Sequence, residues 1–512
     1  MNTLPVAVIG AGPIGLAAAA HLLARGESPI VFEAGASVGA AIREWGHVRL
    51  FSPWRYLVDR KATALLERTG WAMPDSEGLP LGRELVEHYL EPLAGQNEIA
   101  ATLRLNTEVL SITRKSHDKM KDSDRAEAPF VLRVRCPDGG EDEILARAVI
   151  DASGTWRTPN PLGASGVAAL GEAAAAERIA YGIPDVLGAA RQRYANKNVL
   201  VVGSGHSAFN VLLDLAELAR DAPSTSITWV VRRASVGQLF GGEQSDALPA
   251  RGALGARARN LVDSGAVRLL SMRVARIQSA ADGLLVSGED GDTVGPVDEV
   301  IGATGFRPDL EITRELRLGL DSATEAPVAL APLIDPNIHS CGTVPPHGAE
   351  ELKHPEPNFF TVGMKSYGRA PTFLTLTGYE QVRSVVAALV GDSDAAHTVE
   401  LVLPETGVCS TGVSNGSGCG SSSDAVSATA VVSEAELLVS APRLAAVLAG
   451  VAVDVGALPM VETSACCSTI AQTTCCEASA KDACCGTTET TTSSTCGCQR
   501  AIAAALAIAE RS

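Results

Sequence analysis

The same piece of chain occurs twice in this sequence. A run of β-branched residues ends in a glycine-rich turn, and a helix of small and apolar residues follows at once. The first copy runs "PVAVIG" into Gly10-Ala-Gly12-Pro13-Ile14-Gly15 and on through "LAAAAHLLARG". The second runs "NVLVVG" into Gly203-Ser204-Gly205-His206-Ser207-Ala208 and on through "FNVLLDLAEL". A strand that turns straight into a helix and returns to a second strand ("SPIVFEA", "SITWVVRR") is a βαβ unit. Such units build parallel sheets covered by helices, which fixes the fold class as α/β with two Rossmann-like dinucleotide-binding domains. In these turns the first glycine allows the tight bend and the second lets backbone N–H groups approach a pyrophosphate. The third lets the helix pack on the strand, and the helix N-terminus faces the negative charge.

The residues that end the second strands differ. Glu33 ends the first, where a carboxylate can hydrogen-bond ribose hydroxyls. Arg232 and Arg233 end the second, where two guanidiniums can pair with a 2′-phosphate that a carboxylate would repel. That pattern points to NADPH rather than NADH at the second turn. Two dinucleotide sites in one chain imply electron transfer between two cofactors, most simply from a nicotinamide to a flavin. The order of pieces predicts one domain inserted in another. Residues 1–160 form the opening segment of the FAD-binding domain, 161–300 the NADPH-binding domain, and 301–395 the closing segment of the FAD-binding domain. A charged loop, "KSHDKMKDSDRAEA" (115–128), reads as mobile.

The chain of 512 residues is too long for one core. Its net charge of −17 and the lack of a basic stripe argue against nucleic-acid binding. The most apolar late stretch, "LAAVLAGVAVDVGALPMV", is broken by Asp454, glycines and a proline, which argues against a membrane span. The first strand begins within a few residues of Met1, leaving no room for a cleavable leader, so a cytoplasmic, reducing location is expected.

Three further segments resemble a known family. "VIDASGTW" (149–156) and "IGATGFRPD" (301–309) match its crossings into and out of the NADPH domain, and "FFTVGMKSYGRAPTFLTLTGYEQ" its closing flavin segment. The chain thus resembles the two-dinucleotide-binding-domain flavoproteins, which include pyridine nucleotide–disulfide oxidoreductases and class B flavin monooxygenases. The resemblance implies FAD and NADPH as cofactors. It implies FAD contacts at Gly10 to Gly15, Glu33, Trp45, Gly154, Gly363 and Met364, with the Val109 backbone at the adenine. A helix starting near Thr377 would aim its N-terminus at the flavin. Two departures stand out. Residues 1–400 contain only Cys136 and Cys341, so the CxxC of the dithiol reductases is missing. The monooxygenase stretch FxGxxxHxxx(W/F) is also missing, its place taken by "GVAALGEAAAAERIAYGIPD". "LFSPWRYLVD", "HSCGTVPPHG" and "GMKSYGRAPTF" are similar to bacterial flavoproteins found with arsenic-resistance genes.

Together these features lead to the expectation of an FAD-dependent, NADPH-using oxidoreductase, most like a flavin monooxygenase acting on a small molecule. The alternatives are a disulfide or thiol-bound-metal reductase that uses the C-terminal cysteines, and a soft-metal or metalloid-binding module fused to a flavoprotein. Trp45, Trp54 and Tyr56 can wall a flavin or simply pack. Trp54 is also a catalytic candidate, as are Lys365, Tyr367 and Arg369, which can equally be surface residues, and His347 and His354 read as structural. A Gly/Ser-rich linker (396–430) leads to a C-terminal extension (431–512). Its tract 466–498 carries Cys466, Cys467, Cys475, Cys476, Cys484, Cys485, Cys496 and Cys498. Thr and Ser fill the gaps and disfavour helix, so a flexible, poorly ordered tract is expected. Sulfur-only ligands favour soft metals or trivalent arsenic; a redox shuttle to the flavin and a passive tail remain as alternatives.

Overall fold

The structure is a computed structural model that describes residues 4–232, 239–240, 249–337, 344–371 and 373–401. The chain divides into two units, residues 1–416 and 417–512, and all of the second lies outside the described residues. So do Arg233, Cys341, the linker beyond residue 401, the whole extension 431–512 and the eight thiols from Cys466 to Cys498.

Two five-stranded sheets carry the fold. The first runs Phe359–Thr361, Ala148–Asp151, Val6–Ile9, Pro29–Phe32, Leu103–Arg104 in spatial order, and every pairing is parallel. The second runs Arg268–Ser271, Ser226–Val231, Asn198–Val202, Glu299–Gly302, Ile179–Tyr181, again all parallel. Antiparallel three-stranded sheets flank them, one from Glu108–Arg114, Phe130–Arg135 and Glu141–Ala146, the other from Val274–Ala280, Gly283–Gly288 and Thr293–Val297.

The central strands explain the layering. Successive side chains of a strand point to opposite faces. Val6 and Val8 enter one buried cluster and Ala7 and Ile9 another. Val199 and Val201 enter a third, Leu200 and Val202 a fourth. Each sheet is therefore covered on both faces, as parallel sheets require.

The helix Pro13–Ala24 starts with its proline in the first turn, where no N–H is needed. Ala17, Ala18, Ala19 and Ala20 are buried and small, so the sheet and the helix Thr375–Leu389 can both press against it. A methyl group at Gly15 would lie 1.8 Å from the Gly10 carbonyl oxygen, and one at Gly378 would lie 2.5 Å from Ile14 Cδ1.

The helical stretch 82–94 is continuous and runs from Gly82–Leu85 through a π-turn at Val86–Leu90 into Glu91–Ala94. Pro92 has no N–H for the His88 carbonyl, and the Trp71 indole N–H donates to that oxygen instead at 2.7 Å. The charged loop 115–128 is pinned rather than free. Its Arg125 is buried and donates to Glu356 at 2.6 and 2.8 Å, and Arg114 donates to the same carboxylate at 2.8 Å. Among the described residues no helix is long and apolar enough to cross a membrane.

Gly15→Ala should destabilise the fold by about 3 kcal/mol or more, because backbone must move to admit the methyl group; chemical denaturation of purified variant and wild type checks this. Acid should also weaken the fold. Burial lowers the His354 pKa from 6.5 to about 4, and burial lowers that of His347 as well. Below about pH 6.5 the unfolded chain therefore binds more protons than the folded one. Stability should be fully present above pH 6.5 and fall progressively towards pH 4, and His354→Phe should flatten that part of a Tm-against-pH profile.

Candidate functional site

The two glycine turns sit at the carboxyl ends of the central parallel strands, where open α/β sheets bind ligands. In the first, Gly10 has φ +95°, and a methyl group there would meet the Ala152 carbonyl at 2.8 Å. Gly12 differs: nothing lies within 4 Å of where its methyl group would be. Packing explains Gly10 and Gly15, whereas Gly12, the N-cap of the helix, leaves its side open to the space beside the turn. Gly154, with φ +70°, is open in the same way. The Glu33 carboxylate reaches back over the turn and accepts from the Ala11 N–H at 2.9 Å and the Gly35 N–H at 2.8 Å. Each oxygen keeps a further lone pair for a ribose hydroxyl. The Thr107 N–H donates to the Glu33 carbonyl at 2.8 Å and the Asn106 N–H to the Gly35 carbonyl at 2.9 Å, which brings the strand carrying Val109 beside the same corner.

The closing segment is fastened by side chains. Gly363, with φ +68°, sits against Ile14 of the first turn, 3.2 Å from where its methyl group would be. The Gly363 N–H donates to Gln381 Oε1 at 2.7 Å, and Gln381 Nε2 lies 2.9 Å from both Ser366 Oγ and His347 Nε2. With His347 Nδ1 on the Pro345 carbonyl at 3.0 Å, the neutral ring holds its proton on Nδ1 and accepts at Nε2.

Lys365 is fully buried. Its Nζ donates to Asp151 Oδ2 at 2.7 Å and Ser153 Oγ at 3.0 Å, while the Ser153 hydroxyl donates to Asp151 Oδ1 at 2.6 Å. Met364 beside it is half-buried. The other catalytic candidates are placed elsewhere than expected. Tyr367 is buried against His347 and Phe373, and burial raises its hydroxyl pKa far above the ordinary value. Trp54 is buried in the core under the first sheet. Arg369 is spent on a surface pair with Glu325 at 2.9 Å. All three positions follow from packing or surface pairing. Trp45 is half-buried beside Gly82 and faces Trp156 at 6.4 Å between ring centroids.

The second turn repeats the logic. Gly203 has φ +135° and a methyl group there would lie 2.1 Å from the Ala303 carbonyl, whereas Gly205 has nothing within 4 Å. Ala208 stands in the third place and is fully buried. The Trp229 indole N–H donates to the Gly203 carbonyl at 2.7 Å. His206 opens the helix His206–Asp221, and Ser204 and Ser207 flank Gly205 and His206. Arg232 is exposed, with Nη1 3.3 Å from the Ala164 carbonyl. Sequence reasoning singled out neither Asp151, Ser153, Gln381 nor Trp229. The signal for each was proximity to a glycine turn, but the partners are far away in the chain. Among the described residues no group of three or more His, Cys, Asp or Glu is placed to hold a metal.

A family model described as pyridine nucleotide-disulphide oxidoreductase matches residues 7–329, a span that contains both turns and both crossings. The chain belongs to this family. A comparison with curated proteins finds no match. Solved structures with the same fold include bacillithiol disulfide reductases. That from Bacillus cereus has 18% identity and TM-score 0.56, covering 76% of this chain and all of that one. That from Staphylococcus aureus has 16% identity and TM-score 0.55, covering 77% and 99%. The FAD-bound cadaverine monooxygenase of desferrioxamine biosynthesis from Erwinia amylovora has 13% identity and TM-score 0.53, covering 79% and 99%.

Because Gly12 and Gly205 have extended backbones and open sides, alanine at either should leave the fold intact. Gly12→Ala should lower FAD retention, and Gly205→Ala should raise the half-saturating nicotinamide dinucleotide concentration, each by about tenfold or more, about 1.4 kcal/mol or more of binding. Flavin content and titration of flavin reduction, with apoprotein melting as control, read this out.

Proposed function

We propose that the chain is an FAD- and NADPH-dependent oxidoreductase that acts as a flavin monooxygenase-like enzyme on a small molecule. The observation that carries the cofactor reading is the pair of open second glycines, Gly12 and Gly205, each at a strand-to-helix turn whose other glycines are explained by packing. When bound, FAD and NADPH together supply hydride transfer and then a two-electron reduction of an acceptor.

The chain's own residues bind and orient. The helix starting at Pro13 turns its N-terminus to the FAD pyrophosphate. Glu33 takes the ribose hydroxyls and the backbone near Val109 the adenine. Gln381, Ser366 and His347 hold the Gly363 turn in its left-handed conformation against Ile14. At the second turn Trp229 fixes the Gly203 carbonyl, the helix starting at His206 faces the NADPH pyrophosphate, and Arg232 with Arg233 takes the 2′-phosphate.

The acceptor reading rests on the cysteines of the body. Residues 1–400 hold only Cys136 and Cys341, so the reduced flavin has no CxxC dithiol there to pass electrons to, which favours oxygen and a small substrate. Support for a monooxygenase comes also from the structural likeness to the cadaverine monooxygenase. A second reading, reduction of a disulfide or a thiol-bound metal using the tail cysteines, is favoured by the eight thiols at 466–498 and by the likeness to the bacillithiol disulfide reductases. If the tail instead only binds a soft metal or metalloid, the link to arsenic would be chemical, through sulfur ligation of trivalent arsenic.

Anaerobic NADPH should bleach the bound flavin, and NADH should do so less well. In air, replacing all eight tail cysteines by serine should leave NADPH oxidation and oxygen uptake within about twofold of wild type, a difference of about 0.4 kcal/mol. Loss of turnover in that variant with a disulfide as acceptor, and no oxygen-dependent product, sinks the monooxygenase reading and leaves the thiol reading standing.

A further inference from the structure

One stretch of chain, residues 39–51, touches both glycine turns. At its start the Gly39 N–H donates to the Ala11 carbonyl in the first turn at 3.0 Å. At its end the Phe51 ring packs on the His206 imidazole of the second turn, with centroids 5.5 Å apart. Between these points Glu44 accepts from the Trp156 indole N–H at 2.7 Å, and Trp156 stacks on Phe306 at 4.6 Å. Trp156 and Phe306 belong to the two crossings between the nucleotide domains, which are themselves clasped. Asn160 N–H donates to the Gly305 carbonyl at 2.9 Å and Arg307 N–H to the Thr158 carbonyl at 3.0 Å.

The stretch has its own support on the outer side. Gly82 N–H donates to the Val48 carbonyl and Leu50 N–H to the Pro80 carbonyl, each at 2.9 Å. Phe51 is thus held out from a backed ribbon rather than from a free loop. On the other side, His206 meets the edge of Phe209 at 5.7 Å, and Phe209 contacts Trp229 at 6.0 Å. Trp229 is the residue whose indole fixes the Gly203 carbonyl. A continuous aromatic row therefore runs from Phe51 of the first domain through His206 to the residue that shapes the second turn.

We propose that Phe51 is a positioning residue for the nicotinamide dinucleotide: by holding the His206 ring between itself and Phe209, it sets the side chain that opens the helix facing the pyrophosphate. The site at the second turn is then composite, completed by a residue of the first domain. The 39–51 stretch registers it against the first turn. The inference rests on the reading of Gly203–Ala208 as the nicotinamide dinucleotide site.

The test is anaerobic flavin reduction by NADPH in the full-length holoprotein, comparing wild type, Phe51→Ala and Phe51→Tyr. An aromatic pair contributes about 0.5–1.5 kcal/mol beyond area burial. Phe51→Ala should therefore raise the half-saturating NADPH concentration by about twofold to twelvefold. FAD content and Tm should match wild type, and Phe51→Tyr should restore half-saturation. Half-saturation within twofold of wild type in the alanine variant overturns the inference alone. So does a loss of FAD or a lower Tm in that variant, which would make Phe51 a packing residue of the first domain. A wild-type flavin that neither NADPH nor NADH reduces overturns the nucleotide reading itself, and the inference with it.

Discussion

The close pass of the Gly10 carbonyl over residue 15 sets the geometry of the first domain. With 1.8 Å between that oxygen and the place of a Cβ, only glycine lets the helix Pro13–Ala24 lie this near its strand. Everything above the sheet inherits the spacing. Four alanines keep the helix thin, Gly378 lets the helix Thr375–Leu389 come down on Ile14, and Gly363 meets the same isoleucine from the closing strand. Three glycines far apart in sequence thus converge on one turn, and the open side of Gly12 is left between them. The second domain meets the same need by another route. Its third turn residue is Ala208, and the turn is fixed from outside by the Trp229 indole.

Charge closes the fold where glycine cannot. The Lys365–Asp151 pair joins the end of the strand Ala148–Asp151 to the segment after Phe359–Thr361, across the whole inserted domain. Burying an ion pair adds little net stability, because desolvation consumes the Coulombic gain. Losing one partner is costly, because the other is left charged and dry. Such a pair therefore serves better as a register pin than as glue. Arg114 and Arg125 share Glu356 in the same manner and tie the antiparallel sheet and the charged loop to the residues before the closing strand.

What the sequence made legible was local. Glycine spacing, β-branched runs and Glu33 each act within one βαβ unit, and the structure sets all of them at the strand ends. What it hid was partnership at long range. Lys365 looked available because its carboxylate is 214 residues away. Trp54 looked like a cofactor wall and Tyr367 like a catalytic candidate because aromatic residues serve packing and binding equally well, and here both are buried in packing. The loop 115–128 looked solvated because its composition is charged, yet one arginine in it finds a buried carboxylate. The π-turn was half-readable, since Pro92 announces a missing donor but not that Trp71 replaces it.

The two nucleotide domains keep separate cores. The buried clusters on the faces of the first sheet share no residue with those of the second. Among the described residues they are joined by the clasped crossings, the Trp156–Glu44 hydrogen bond and the ring contacts at Trp45 and Phe51. Small interfaces of this kind allow relative motion between domains, whereas a shared core would lock them. Ring-on-ring contacts suit such a seam, since they keep most of their attraction over a range of offsets and angles. Two cofactors held on separate cores can then be registered by one ribbon without being welded by it.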